Sequence, residues 1–145
     1  MKRVFVNEQW CLGCHLCEYN CAFAAVANSE PNMTRALKNS VIDPVIRVEE
    51  DGDVCFAIGC RHCSVPLCVK GCLTGALSVT DGVISVDKNR CVHCYTCVLS
   101  CPYGAVMPSA DGAVRKCELC LQTTQGTPRC VAGCPNGAIV FEERE

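Results

Sequence analysis

The residues able to do chemistry in this sequence are its cysteines, 17 of 145 residues or about 12% of the chain. All but Cys55 fall into four groups of four. The first is Cys11, Cys14, Cys17 and Cys21, spaced C-x2-C-x2-C-x3-C; the third, Cys91, Cys94, Cys97 and Cys101, repeats that spacing and adds Pro102. The second, Cys60, Cys63, Cys68 and Cys72, is spaced C-x2-C-x4-C-x3-C, and the fourth, Cys117, Cys120, Cys130 and Cys134, is spaced C-x2-C-x9-C-x3-C and followed by Pro135. Three thiolates on a tight loop can wrap three corners of a cubane [4Fe-4S] cluster, and the fourth corner must be filled from elsewhere. In the C-x2-C-x2-C-x3-C-P run the fourth cysteine ligates the other cluster of a pair. Two exchanged cysteines then tie two groups into one module.

Two other uses of cysteine fit less well. Zinc sites also use C-x2-C, as two pairs separated by a dozen or more residues. Here a third cysteine follows after only two residues in two of the groups, which over-supplies one tetrahedral ion and leaves the x3-C unexplained. A disulfide scaffold is disfavoured by the odd total and by the N-terminus, Met1 to Glu8, which has no apolar stretch or cleavage signal. The chain is therefore expected in a reducing cytoplasm. No apolar run is long enough to span a membrane, so no direct membrane insertion is expected. A formal charge of −2 offers no basic footprint for nucleic acid.

The elements that must position these groups repeat as the groups do. After the last cysteine the sequence reads Cys72-Leu-Thr-Gly75-Ala-Leu77, Cys101-Pro-Tyr-Gly104-Ala-Val106 and Cys134-Pro-Asn-Gly137-Ala-Ile139, while the first copy, Cys21-Ala-Phe-Ala-Ala-Val26, has alanine in place of glycine. Four copies of one unit are expected, each turning at the Pro or Gly and leading into a short strand. Hairpins are predicted for 76–80 with 83–87 around Asp81-Gly82, for 45–49 with 54–58 around Asp51-Gly52-Asp53, and for 106–109 with 113–116 around Asp111-Gly112. Strands at 3–7 and 138–142 could pair and bring the two ends together. Residues 27–44 read as a loop with one helical turn near Met33 to Lys38. The fold class is α+β: a small ferredoxin-like fold of short hairpins and helical turns.

The groups can pair in tandem, first with second and third with fourth, or nested, first with fourth and second with third. Spacing favours nesting mildly, because 18 residues forming one hairpin separate the second and third groups whereas 38 separate the first and second. Nesting predicts four ligand sets: Cys11, Cys14, Cys17 with Cys134; Cys117, Cys120, Cys130 with Cys21; Cys60, Cys63, Cys68 with Cys101; and Cys91, Cys94, Cys97 with Cys72. The corresponding layout is a single domain, 1–145, with one module from 1–27 plus 109–145 and a second, 45–108, inserted into it.

The remaining candidates surround these ligands. Cys55, in a strand pattern, is expected as a small core residue. His15, His62 and His93 are expected as partly exposed donors near sulfur rather than ligands, since the cysteine complement is full. Trp10 and Tyr95 are expected to pack beside ligands. Arg61, Arg90, Lys116 and Arg129 each adjoin a cysteine and are expected as solvated surface charges. Glu142-Glu143-Arg144-Glu145 reads as a solvated tail.

The chain resembles the four-cluster, ferredoxin-like electron-transfer subunits of multisubunit oxidoreductases: the β subunits of dimethyl sulfoxide reductase and formate dehydrogenase, the iron-sulfur subunits of formate hydrogenlyase, and the small subunits accompanying CO dehydrogenases and tungsten aldehyde oxidoreductases. The resemblance runs from Val4 to about Glu142 and rests on all four cysteine groups, with Trp10-Cys-Leu-Gly-Cys-His-Leu-Cys17 and Cys97-Val-Leu-Ser-Cys-Pro-Tyr-Gly-Ala-Val106 most like the soluble anaerobe subunits. It implies the nested pairing and four [4Fe-4S] clusters, since the members with a three-iron cluster lack a cysteine in one group. It also implies a chain of clusters between a catalytic oxidoreductase subunit (a tungsten or molybdenum enzyme, CO dehydrogenase or hydrogenase) and a second redox subunit or ferredoxin.

No catalytic residue is predicted. The sequence has no G-x-G-x-x-G or P-loop and no radical-SAM C-x3-C-x2-C. Removing the cysteines lowers the hydrophobic share from 50% to about 38%, thin for a core of this size, so metal ligation is expected to supply much of the folding free energy. Four oxidised clusters would bring the formal charge from −2 to roughly −10.

Overall fold

A computed structural model describes residues 1–26, 32, 34, 38, 43–121 and 126–144. Its strands are all short and, among the described residues, pair as four antiparallel two-stranded ribbons. The strand β1 (Arg3–Val6) pairs with β8 (Ile139–Glu142), with Val4 opposite Phe141 and Val6 opposite Ile139. The chain ends are therefore joined, as the strands read at 3–7 and 138–142 allowed. The other ribbons are hairpins: β2 (Arg47–Asp51) with β3 (Val54–Ile58), β4 (Leu77–Thr80) with β5 (Val83–Val86), and β6 (Met107–Pro108) with β7 (Val114–Arg115). Asp81 and Gly82 both take positive φ, 50° and 78°, the geometry of the two-residue turn that Asp-Gly favours. The expected ranges overlap all six hairpin strands, and the ribbon at β6–β7 is shorter than predicted.

The helices carry the third cysteine of each group: α1 (Leu16–Val26), α2 (Leu67–Lys70), α3 (Thr96–Ser100) and α4 (Arg129–Ala132) hold Cys17, Cys68, Cys97 and Cys130. The x3 spacing puts the last cysteine of each group four residues on, on the same helix face or just past its end. Three of the helices stop within a turn, before Gly75, Gly104 and Gly137, whose φ values of 67°, 59° and 62° turn the backbone sharply. In the first copy the expectation of a strand after Cys21 is corrected: alanines at 22, 24 and 25 replace the Pro and Gly breakers, and α1 continues for 11 residues. The helical turn expected near Met33 to Lys38 lies largely outside the described residues.

Packing divides the interior into two cores. One joins Val4, Cys17, Ile46, Ala57, Leu119, Cys130 and Ile139, drawn from both ends of the chain and from β2–β3. The other joins Cys68, Leu77, Ile84, Cys97, Val106 and Val114. Helix α1 packs on α4, and α2 on α3. The hairpin β2–β3, assigned from sequence to the inserted stretch, thus sits against the core made by the chain ends. No helix among the described residues is long and apolar enough to cross a membrane.

Candidate metal centres

Each C-x2-C loop turns on a residue with positive φ just before its second cysteine: Gly13 at 65°, His62 at 44°, His93 at 60° and Leu119 at 55°. Only the first is glycine. Three side chains are therefore held in a left-handed conformation that costs roughly 1–2 kcal/mol each, and the same bend recurs in all four groups. It turns backbone N–H groups onto sulfur: His62 N donates to Cys60 Sγ and Leu119 N to Cys117 Sγ, both at 3.4 Å. Ala105 N donates to Cys101 Sγ and Val45 N to Cys21 Sγ, again at 3.4 Å. The Thr96 hydroxyl donates to Cys94 Sγ at 3.5 Å. Such donors favour thiolate over thiol.

The thiols gather around cavities. One, of about 390 Å³, is lined by Cys21, Cys117, Cys120 and Cys130, together with Cys60 and Lys116. A second, of about 20 Å³, is lined by Cys72, Cys91, Cys94 and Cys97. Elsewhere Cys68 lies within charge interaction of Cys60 and Cys101, and Cys17 within that of Cys11 and Cys14, while sharing a core with Cys134. Cys63 follows Cys60 on the same loop. Among the described residues no two cysteines form a disulfide, and no three His, Cys, Asp or Glu side chains converge on one metal ion.

Burial dominates the electrostatics. It pushes Cys17 and Cys117 up to about 12 and raises Cys130, Cys21, Cys68 and Cys97 as well. Cys94 is lowered by the Thr96 hydroxyl and backbone N–H. At Cys72, burial acts upward but is outweighed by donors from Leu77 and Thr74. Buried thiols held protonated in this way must shed protons to bind a metal, so loading releases protons. Thiols in fours around cavities, with N–H groups aimed at sulfur, fit an iron-sulfur cluster, whose ligands are spread over several irons instead of meeting at one.

The flanking residues correct several sequence-based expectations. His62 is fully buried, not partly exposed: β5 covers it, and Ile84 N donates to its Nδ1 at 3.1 Å. Its ring proton therefore sits on Nε2, which is buried without a partner among the described residues. Desolvation, helped by Lys116 and Arg3, lowers its pKa to about 4. His15 is partly exposed as expected, but its nitrogens meet Glu18 at 2.8 Å and Glu50 at 3.3 Å rather than sulfur. His93 is exposed and packs on Gly112. Lys116 is buried rather than solvated, and its Nζ donates to Cys60 Sγ at 2.6 Å. Arg61 and Arg90 are exposed as expected, Arg61 lying over Tyr103 at 4.6 Å, whereas Arg129 is half-buried over Phe23 at 4.7 Å. Trp10 is 54% exposed and shields little. Tyr95 is exposed, its hydroxyl donating to Gly112 O at 3.1 Å. Cys55 is only partly buried; its Sγ donates to Cys11 O at 3.4 Å beside the first C-x2-C loop. No linear signal distinguished Lys116 or His62 from other residues beside cysteines.

A family model described as a 4Fe-4S dicluster domain matches residues 45–144, which include the second, third and fourth cysteine groups. The chain belongs to this 4Fe-4S dicluster family. The description implies two [4Fe-4S] clusters. The chain is 31% identical over 157 residues to the electron transport protein HydN of Escherichia coli (strain K12), covering 97% of this chain and 87% of HydN. It is 32% identical over 149 residues to YnfG of the same organism, named as a probable anaerobic dimethyl sulfoxide reductase chain, covering 94% of this chain and 71% of YnfG. It is 35% identical over 138 residues to UacF of the same organism, covering 95% of this chain but only 21% of UacF. The chain thus spans about a fifth of UacF and most of the other two. It is an iron-sulfur protein of the electron-transport type.

Proposed function

We propose that the chain is a non-catalytic electron-transfer component that carries four [4Fe-4S] clusters and relays single electrons between a catalytic oxidoreductase subunit and a second redox partner. The observation that carries this reading is the grouping of thiols, with Cys21, Cys117, Cys120 and Cys130 around one cavity and Cys72, Cys91, Cys94 and Cys97 around another. Both match ligand sets of the nested pairing, and the contacts of Cys68 and of Cys17 agree with the remaining two. The two cores support the nested pairing, since cysteines of the first and fourth groups pack in one and those of the second and third in the other.

When bound, each cluster supplies a site that gains or loses one electron. The chain's own residues do the rest. Short helices present the third and fourth thiols of each group, and the left-handed bends aim N–H groups at sulfur and so stabilise added negative charge. Cys60 and Cys117 line one cavity, which supports placing the ligand sets proposed for them side by side as the two inner sets of the relay. One electron enters from a reduced partner and one leaves to an oxidised partner, with no substrate bond made or broken by this chain. The names of HydN and YnfG favour an oxidoreductase complex over a free-standing polyferredoxin. Partners of the formate, CO, aldehyde or hydrogen type, and a cytoplasmic location, belong to this proposal.

Iron and acid-labile sulfide analysis of anaerobically prepared protein tests it. Roughly sixteen of each per chain is expected. About eight would reduce the chain to two clusters, and zinc in place of iron would make it a zinc-stabilised interaction module.

A further inference from the structure

We infer that Lys116 is a fixed positive charge that raises the reduction potential of the cluster held by Cys60. The inference rests on the four-cluster reading above. Lys116 follows β7 and immediately precedes Cys117, so the chain sets its backbone at the start of the fourth group. Its side chain crosses to the second group and donates from Nζ to Cys60 Sγ at 2.6 Å. Cys68 and Cys101, of the same proposed ligand set as Cys60, are the other thiols whose charge it feels. Lys116, Cys60 and Cys117 line one cavity. The ammonium therefore lies between the two inner ligand sets but is bonded to only one of them.

The surroundings make this charge unusual. Lys116 is 8% exposed, and among the described residues no carboxylate pairs with it. Its neighbour Arg115 pairs with Asp43, and Lys88 with Asp111, whereas Lys116 is turned to sulfur. A buried ammonium is costly unless paired, and a neutral thiol is a poor partner. The cation is thus matched to a site that carries negative charge and gains one more on reduction. That step adds one electron from a reduced neighbour in the relay and transfers no proton.

The test uses the full, cluster-loaded chain. Lys116→Met removes the charge and keeps the apolar body; Lys116→Arg keeps the charge. In an EPR-monitored potentiometric titration, Lys116→Met should retain wild-type iron and show one midpoint potential lowered by a tenfold or greater change in the reduction equilibrium, about 59 mV for one electron. The other potentials should move less, and Lys116→Arg should recover most of the shift. Unchanged potentials in Lys116→Met, or an equal fall in Lys116→Arg, would overturn the inference. If Lys116→Met loses iron, Lys116→Gln is read in its place, and iron loss in both overturns the inference in favour of an assembly role. Wild-type protein holding about eight iron would instead refute the four-cluster reading before any variant is compared.

Discussion

Nested and tandem pairing assign Cys21 to different clusters, and iron counting on double variants separates them. In the nested arrangement Cys21 shares a cluster with Cys117, Cys120 and Cys130, all of which line the larger cavity with it; in the tandem arrangement it would share one with Cys60, Cys63 and Cys68, of which Cys60 alone lines that cavity. From a starting content of roughly sixteen iron, removing two ligands from one cluster should cost that cluster alone and leave roughly twelve. Removing one ligand from each of two clusters should leave roughly eight if both are lost, or roughly fourteen if each survives as a three-iron form. The nested account therefore expects about twelve iron for Cys21→Ala/Cys117→Ala, and about eight or fourteen for Cys21→Ala/Cys60→Ala. Iron and sulfide are measured per chain after anaerobic purification, with EPR to identify any three-iron species. Values exchanged between the two double variants would refute the nesting.

Other consequences are independent of that count. Ile84 is 1% exposed in the inner core and donates its N–H to His62. Ile84→Ala should cost about 2–5 kcal/mol and Ile84→Val about 0.5–1.5 kcal/mol, read as shifts in the denaturation midpoint of the loaded protein; no difference between them would remove Ile84 from the core. Chelation of iron should unfold most of the chain, because cysteines make up much of both cores. Retention of the far-UV circular dichroism spectrum after iron removal would show a fold that stands without metal. His15 should titrate above its ordinary value of 6.5, held up first by Glu18 and then by Glu50. Its stabilising contribution is present in full below 6.5 and is lost as pH rises through the raised value. An NMR titration should find that value lowered in Glu18→Gln, and an unmoved value would show that the Glu18 contact is absent in solution.

Much of the scaffold was legible because it is written locally. Asp81-Gly82 and Asp51-Gly52 dictate tight turns between alternating segments, and Gly75, Gly104 and Gly137 recur where the backbone must take positive φ. The strands β1 and β8 were legible as short apolar runs at both ends, and their pairing was one possibility that the structure realises. What was not legible depends on packing between distant segments. Lys116 looks like any surface lysine until the β6–β7 hairpin carries it to Cys60, 56 residues away in sequence. His62 occupies the same repeat position as His93, yet β5 buries one and leaves the other exposed. Cys55 reads as a core residue in its strand and instead meets Cys11 through the placement of β3. The length of α1 lay within reach, since the missing Pro and Gly after Cys21 were visible, but the repeat was weighted over the helix propensity of its alanines.

The central claim is a four-site, one-electron relay, and a coulometric reduction of the purified chain tests it most directly. Anaerobic titration with a one-electron mediator should take up about four electrons per chain and release them on reoxidation with no loss of iron. Uptake of about two electrons, or reduction that cannot be reversed, would contradict it.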